Sequence, residues 1–211
     1  MKALAPFVLF SVLAAPTLAG AQQSTSDTNS VQDRPAVTFN EIERGLYFSV
    51  QGGPSFIVNP PAEEGERPFS SGQMAQVEVG FDIGDRLSLG VFLMGAANRA
   101  GSDYVGNSGG AASGDFSYLV PGAVARVHLV GFADNQEVKR TWIYARGGVG
   151  YTLFSPKLLL PDSDILVFAG PGVEYYTRLR HFSVGLEVSA SYLVSSGSFG
   201  FAVSPNLRYA F

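Results

Sequence analysis

The chain contains no cysteine, so it forms no disulfide and offers no thiol for lipid attachment. Histidine is nearly absent, with two residues in 211. Charge is scarce, at 15% of residues, whereas a surface that meets water carries about 25–35%. The charge that exists is acidic on balance, 18 carboxylates against 14 bases. That excludes the basic patch a nucleic-acid partner requires. Beyond the first twenty or so residues, no apolar run reaches the ~20 residues of a spanning helix. Motifs that carry chemistry are missing too: there is no G-x-S-x-G elbow, no Walker loop and no H-E-x-x-H. Gly147-Gly148-Val149-Gly150 is strand glycine rather than a nucleotide loop. Asp162-Ser163-Asp164 supplies too few oxygens for calcium. These absences predict a protein that is not an enzyme and has no cofactor and no metal.

What the chain does have is a short N-terminal apolar segment, 25 glycines and long stretches of strict alternation. Residues 1–21 read as a secretory signal peptide: Lys2, an apolar run from Ala5 to Ala15, then Ala19-Gly20-Ala21. Residues 22–44 are largely polar and unpatterned, and form a leader. From residue 45 onward the period is two, the signature of strands with one apolar and one polar face. Eight strands are predicted, at about 45–53, 73–84, 86–98, 116–130, 140–154, 165–178, 182–193 and 199–211. Most are long enough to cross a bilayer at the usual tilt. Connections after strands 2 and 6 are short, and those after strands 1, 3 and 5 are long. The connections at 131–139 and 194–198 break that rhythm. Pro121, inside strand 4, calls for a bulge.

The polar parity decides which face meets lipid. A soluble eight-stranded barrel turns its apolar face inward and covers its outside with scattered charge. Here the polar parity is mostly Gly, Ser and Ala, with Glu78, Asp82, Glu174 and Glu187 set against Arg126, Arg146, Arg178 and Arg208. Four acids matched by four arginines suit a crowded interior, where an unpaired charge is costly. Neighbouring strands suggest the pairs Arg146–Glu174 and Arg208–Glu187. The expectation is an all-β, eight-stranded antiparallel up-and-down transmembrane barrel over residues 45–211, apolar side out.

The last strand, Phe199 to Phe211, alternates Phe199, Phe201, Val203, Pro205, Leu207, Tyr209 and Phe211 with small and polar residues. A bare apolar edge of this kind invites aggregation unless the barrel closes over it. This ending resembles that of bacterial outer-membrane β-barrels, whose terminal aromatic strand is read by the barrel-assembly machinery. On that resemblance Leu207, Tyr209 and Phe211 are the assembly signal. The whole pattern resembles the transmembrane domain of OmpA and its small eight-stranded relatives. That likeness implies a periplasmic N-terminus and contact with outer-membrane lipid and lipopolysaccharide. The Glu41-Ile42-Glu43-Arg44-Gly45-Leu46-Tyr47 start is similar to outer-membrane barrels of myxobacterial gliding-motility complexes, which implies envelope protein partners. Some barrels of this size modify lipid A with a His, a Ser and an acid at the outer rim. His128 and His181 both fall toward the opposite end. Two roles stay open: an anchor acting through its loops or leader, or a narrow conduit for small solutes or lipophilic molecules. Leu158, Leu159 and Leu160, between Pro156 and Pro161, form a possible contact loop, because exposed apolar clusters often mark contact sites.

Overall fold

The computed structural model describes residues 42–59, 70–99, 115–155 and 162–211. The expected signal peptide, most of the expected leader and the leucines at 158–160 lie outside the described residues. Eight antiparallel strands close into one up-and-down barrel. They are β1 (Leu46–Ile57), β2 (Ser70–Ile83), β3 (Leu87–Arg99), β4 (Phe116–Ala133), β5 (Lys139–Ser155), β6 (Ser163–Tyr176), β7 (Phe182–Leu193) and β8 (Ser198–Ala210). β1 pairs with β8, so no edge is left open. One end of the barrel carries the start of β1, the end of β8 and the three turns after β2, β4 and β6. The opposite, loop end carries the connections after the odd-numbered strands.

Burial alternates along every strand with the apolar parity outside. Val91, Phe81, Leu129, Ile83 and Tyr151 are each more than half exposed, and more than two dozen other large apolar residues are exposed with them. Burying one such side chain fully is worth about 1.5–3 kcal/mol, so this surface in water would cost on the order of tens of kcal/mol. In a bilayer that cost disappears, and outside the proline positions the closed ladder pairs the backbone within the barrel.

Several features differ from the sequence expectation. β1 continues through Gly52-Gly53-Pro54 to Ile57, past its expected end. The connection at 131–139 shrinks to residues 134–138, because β4 runs on to Ala133. Asp134 builds that turn: its carboxylate accepts from Gln136 N at 2.8 Å, Val138 N at 3.2 Å and Arg140 Nε at 2.9 Å. The backbone turns through Glu137, at φ 61°. On the loop end Asp164 plays a similar part. It accepts from Ser195 N and Ser196 N at 2.7 and 2.8 Å and so ties down the short β7–β8 connection.

Pro121 needs no bulge. Its ladder with β3 is continuous, while two rungs toward β5 are missing and the register resumes unshifted. The register shifts fall instead between His128 and Val130 and between Phe132 and Ala133. Pro171 behaves like Pro121, with a continuous ladder to β5 and two missing rungs toward β7. A proline removes only the rungs that would use its own N–H.

Candidate functional site

Inside the barrel the side chains sort by height. Toward the loop end lies an apolar plug of Met74, Phe92, Met94, Phe116, Tyr118, Val120, Phe154, Leu166 and Phe168. Phe92 and Phe168 meet edge-on with ring centres 5.6 Å apart. Inward glycines make room for such rings: a Cβ on Gly148 would come within 2.7 Å of Phe168.

Below the plug sits the charge network. Arg146, from β5, reaches Glu78 of β2 at 2.6 Å and Glu187 of β7 at 2.9 Å, spanning the lumen. Its guanidinium lies 5.1 Å from the Phe168 ring and so joins the plug to the network. Tyr47 donates to Glu78 at 2.6 Å, and Tyr144 to Glu187 at 3.3 Å. Arg126 binds Glu174 at 3.1 Å. The other oxygen of Glu174 accepts from Ser183 at 2.6 Å. Arg208 pairs with Asp82, which also accepts from Ser88 at 2.6 Å. Arg208 lies 3.6 Å from the Tyr47 ring centre. All seven of these charged side chains are at most 5% exposed. Pairing and ring stacking are what make such burial tolerable.

The structure therefore brings together Glu78, Asp82, Arg126, Arg146, Glu174, Glu187 and Arg208, but with other partners than neighbouring strands suggested. Arg146 meets Glu78 and Glu187, not Glu174, and Arg208 meets Asp82, not Glu187. Arg178 is outside the network altogether. β6 stops at Tyr176, and Arg178 is exposed in the turn that follows. His128 stands where a fourth base was expected, with Nε2 3.0 Å from Glu174. Sequence reasoning missed it, although it shares the inward parity of Arg126 two residues earlier.

The floor is aromatic. Trp142, the single tryptophan, and Tyr176 are buried at the end that carries the start of β1 and the end of β8. Arg44 lies 5.8 Å from the Trp142 ring and 5.2 Å from the Tyr176 ring. It also reaches Asp85 at 3.7 Å, while its neighbour Glu43 pairs with Arg180 at 2.7 Å. Residues 43 and 44 are thus strapped across the mouth, between the β2–β3 and β6–β7 turns.

The Ser183–Glu174–His128 cluster is not ordered as a catalytic triad. A triad places histidine between the hydroxyl and the acid. Here Glu174 sits between Ser183 and His128, and all three are at most 2% exposed. His181 stacks on Tyr209 and lies 2.8 Å from the Ala210 carbonyl. Among the described residues, no group of His, Asp and Glu is gathered to hold a metal ion. Leu207 of β8 and Phe211 just beyond its end are exposed, and Tyr209 packs edge-on against Phe182 and Phe211 at 4.9 and 5.0 Å.

No family model and no curated protein matches the chain. Solved structures do. Neisserial surface protein A matches with a TM-score of 0.60 at 15% identity, over 81% of this chain and 100% of that one. OprG, an outer-membrane protein of Pseudomonas aeruginosa, matches with a TM-score of 0.47 at 11% identity, over 82% and 99%. The outer-membrane enzyme PagL matches with a TM-score of 0.43 at 10% identity, over 79% and 99%. The fold is that of the small eight-stranded outer-membrane β-barrels, as the alternation and polar parity lead one to expect.

Proposed function

We propose that this chain is a non-enzymatic integral outer-membrane barrel that anchors or stabilises an envelope assembly. Its loops and leader make the contacts, and its lumen serves as a rigid filler. The observation that carries this reading is the filled interior. Below the plug the lumen is occupied by Arg126, Arg146, Arg208, Tyr47 and Tyr144, all at most 2% exposed. The cavity between plug and network measures about 30 Å³, room for only a few waters. A conduit for solutes needs a continuous path that this packing does not leave. The buried order Ser183–Glu174–His128 supports the non-enzymatic reading.

The leader is the first candidate contact. Glu43 and Arg44 lie in the segment that is similar to gliding-motility barrels, and they fix the leader's root to the mouth. With a periplasmic N-terminus, a pull on the leader is delivered to the barrel wall. The leucines at 158–160 are the second candidate. The test is affinity purification of the tagged barrel from detergent-solubilised envelopes, alongside single-channel recording in planar bilayers. The expected result is reproducible envelope partners and no conductance above the bare membrane. Loss of partners on replacing Leu158, Leu159 and Leu160 with serine assigns the loop. Loss on deleting residues 22–41 assigns the leader. Steady conductance steps, with neither change affecting partners, would refute the anchor reading in favour of a conduit.

A further inference from the structure

The seam that closes the barrel is built unlike the other seven. Between Gln51↔Asn206 and Ser55↔Ala202 the β1–β8 ladder lacks three consecutive rungs, yet the register on either side is the same. The prolines account for all three. Pro205 lies opposite Gly52, and Pro54 opposite Val203, so each strand withholds one N–H from the other. Both prolines keep continuous ladders on their other sides, to β7 and β2. Elsewhere a strand proline interrupts its seam alone; here two act together, one from each strand. The carbonyls of Gly52 and Val203 lose their ladder donors as a result. Gly53 lies so close to the Val203 carbonyl that a Cβ there would collide with it.

On the outer surface this gap forms a notch of about 380 Å³, lined by Val50, Gln51, Gly52, Pro205, Asn206 and Leu207. Val50 and Leu207 face lipid as its walls. Phe56 and Phe201 stack across the seam above it, with ring centres 4.9 Å apart. Gly52 is midway along β1, so the notch opens near the centre of the apolar band. Backbone acceptors without donors are expensive at that depth, since no water reaches them.

We infer that the β1–β8 notch binds a lipophilic molecule carrying a hydroxyl group, whose apolar body fills the notch and whose O–H donates to the carbonyl of Gly52. The depth selects the source. Membrane lipids hold their polar groups at the interface, whereas a free single-chain molecule can carry a mid-chain hydroxyl to the bilayer centre. The ligand class is therefore a hydroxylated long-chain compound dissolved in the membrane, not a bilayer lipid. The site is on the outer wall, so it does not depend on the anchor reading and does not reopen the lumen.

The test uses the barrel in phosphatidylcholine nanodiscs, titrated with a mid-chain hydroxystearate and, separately, with stearate. Saturable binding of the hydroxylated probe is expected, about tenfold or more tighter than stearate, because a site built around a hydrogen bond rejects the analogue that lacks it. Pro54→Ala with Pro205→Ala supplies both missing N–H groups. That variant is expected to lose the preference and to unfold at a higher temperature. A control, Pro121→Ala, leaves the seam alone and keeps the preference. Equal, unsaturable partition of both probes into wild-type nanodiscs would overturn the inference, and so would an undiminished preference in the folded double variant. Should the double variant not assemble, the comparison of the two probes on the wild-type barrel still decides.

Discussion

Arg146 is the tie across the lumen, and its removal has a calculable cost. In Arg146→Met the side-chain volume is roughly kept, but Glu78 and Glu187 lose their shared counter-charge. Both carboxylates are at most 3% exposed. Breaking a buried ion pair by removing one partner costs about 3–5 kcal/mol, because the other charge is left uncompensated. Two stranded carboxylates push toward the upper end, while the remaining bonds from Tyr47 and Tyr144 and any entry of water pull back. About 4 kcal/mol is expected. With a urea slope near 2 kcal/mol/M, the unfolding midpoint falls by roughly 2 M. Trp142, the single tryptophan, reports unfolding directly. The triple variant Glu78→Gln, Arg146→Met, Glu187→Gln removes all three charges, and it is expected to return most of the loss. A double-mutant cycle should find coupling of Arg146 with Glu78 and with Glu187, and near-additivity with Glu174. An Arg146→Met barrel within about 1 kcal/mol of the parent at unchanged slope would refute the reasoning. So would a triple variant no better than the single one.

Three further outcomes are expected. The mature chain should fractionate with outer membrane and migrate differently on gels before and after boiling, and deleting Phe211 should reduce the heat-modifiable fraction; a soluble, unshifted protein would contradict the membrane reading. Arg44→Ala should unstrap the mouth, so that Trp142 emission moves to the red and acrylamide quenches it more strongly, whereas unchanged quenching would show that Arg44 does not cover the floor. The N–H of Gln136, helped by that of Val138 and by the Arg140 guanidinium, holds the Asp134 carboxyl below the usual aspartate range despite some desolvation. Because the folded value is the lower one, its stabilisation of the β4–β5 turn is present above the unfolded value near pH 4 and is lost as pH falls through the folded one. Amide exchange at Val138 should show that acid opening in the parent and not in Asp134→Asn.

The fold was legible because a barrel wall is a one-dimensional problem. Each residue of β2 or β7 faces either lipid or lumen, and parity alone says which; Val77, Val79 and Phe81 are outside and Glu78 and Asp82 inside for that reason. The partners were not legible because the lumen is not one-dimensional. Closure requires tilted, staggered strands, and inward residues at one height then come from alternate strands rather than adjacent ones. Arg126 of β4 meets Glu174 of β6, and Arg208 of β8 meets Asp82 of β2, each pair skipping a strand. The adjacent pair that parity does bring into register, Arg126 and Arg146, is a pair of like charges, and each leans away to a different carboxylate. The same limit explains Arg178. Parity continues past the end of a strand on paper, but the barrel wall ends at Tyr176, where the chain turns toward Phe182. A residue's face can be read from its neighbours in sequence, whereas its height in the lumen depends on the register of every strand around the ring. The seam at Pro54 and Pro205 follows the same division: each proline is visible in the sequence, but only the closed register sets them in one ladder.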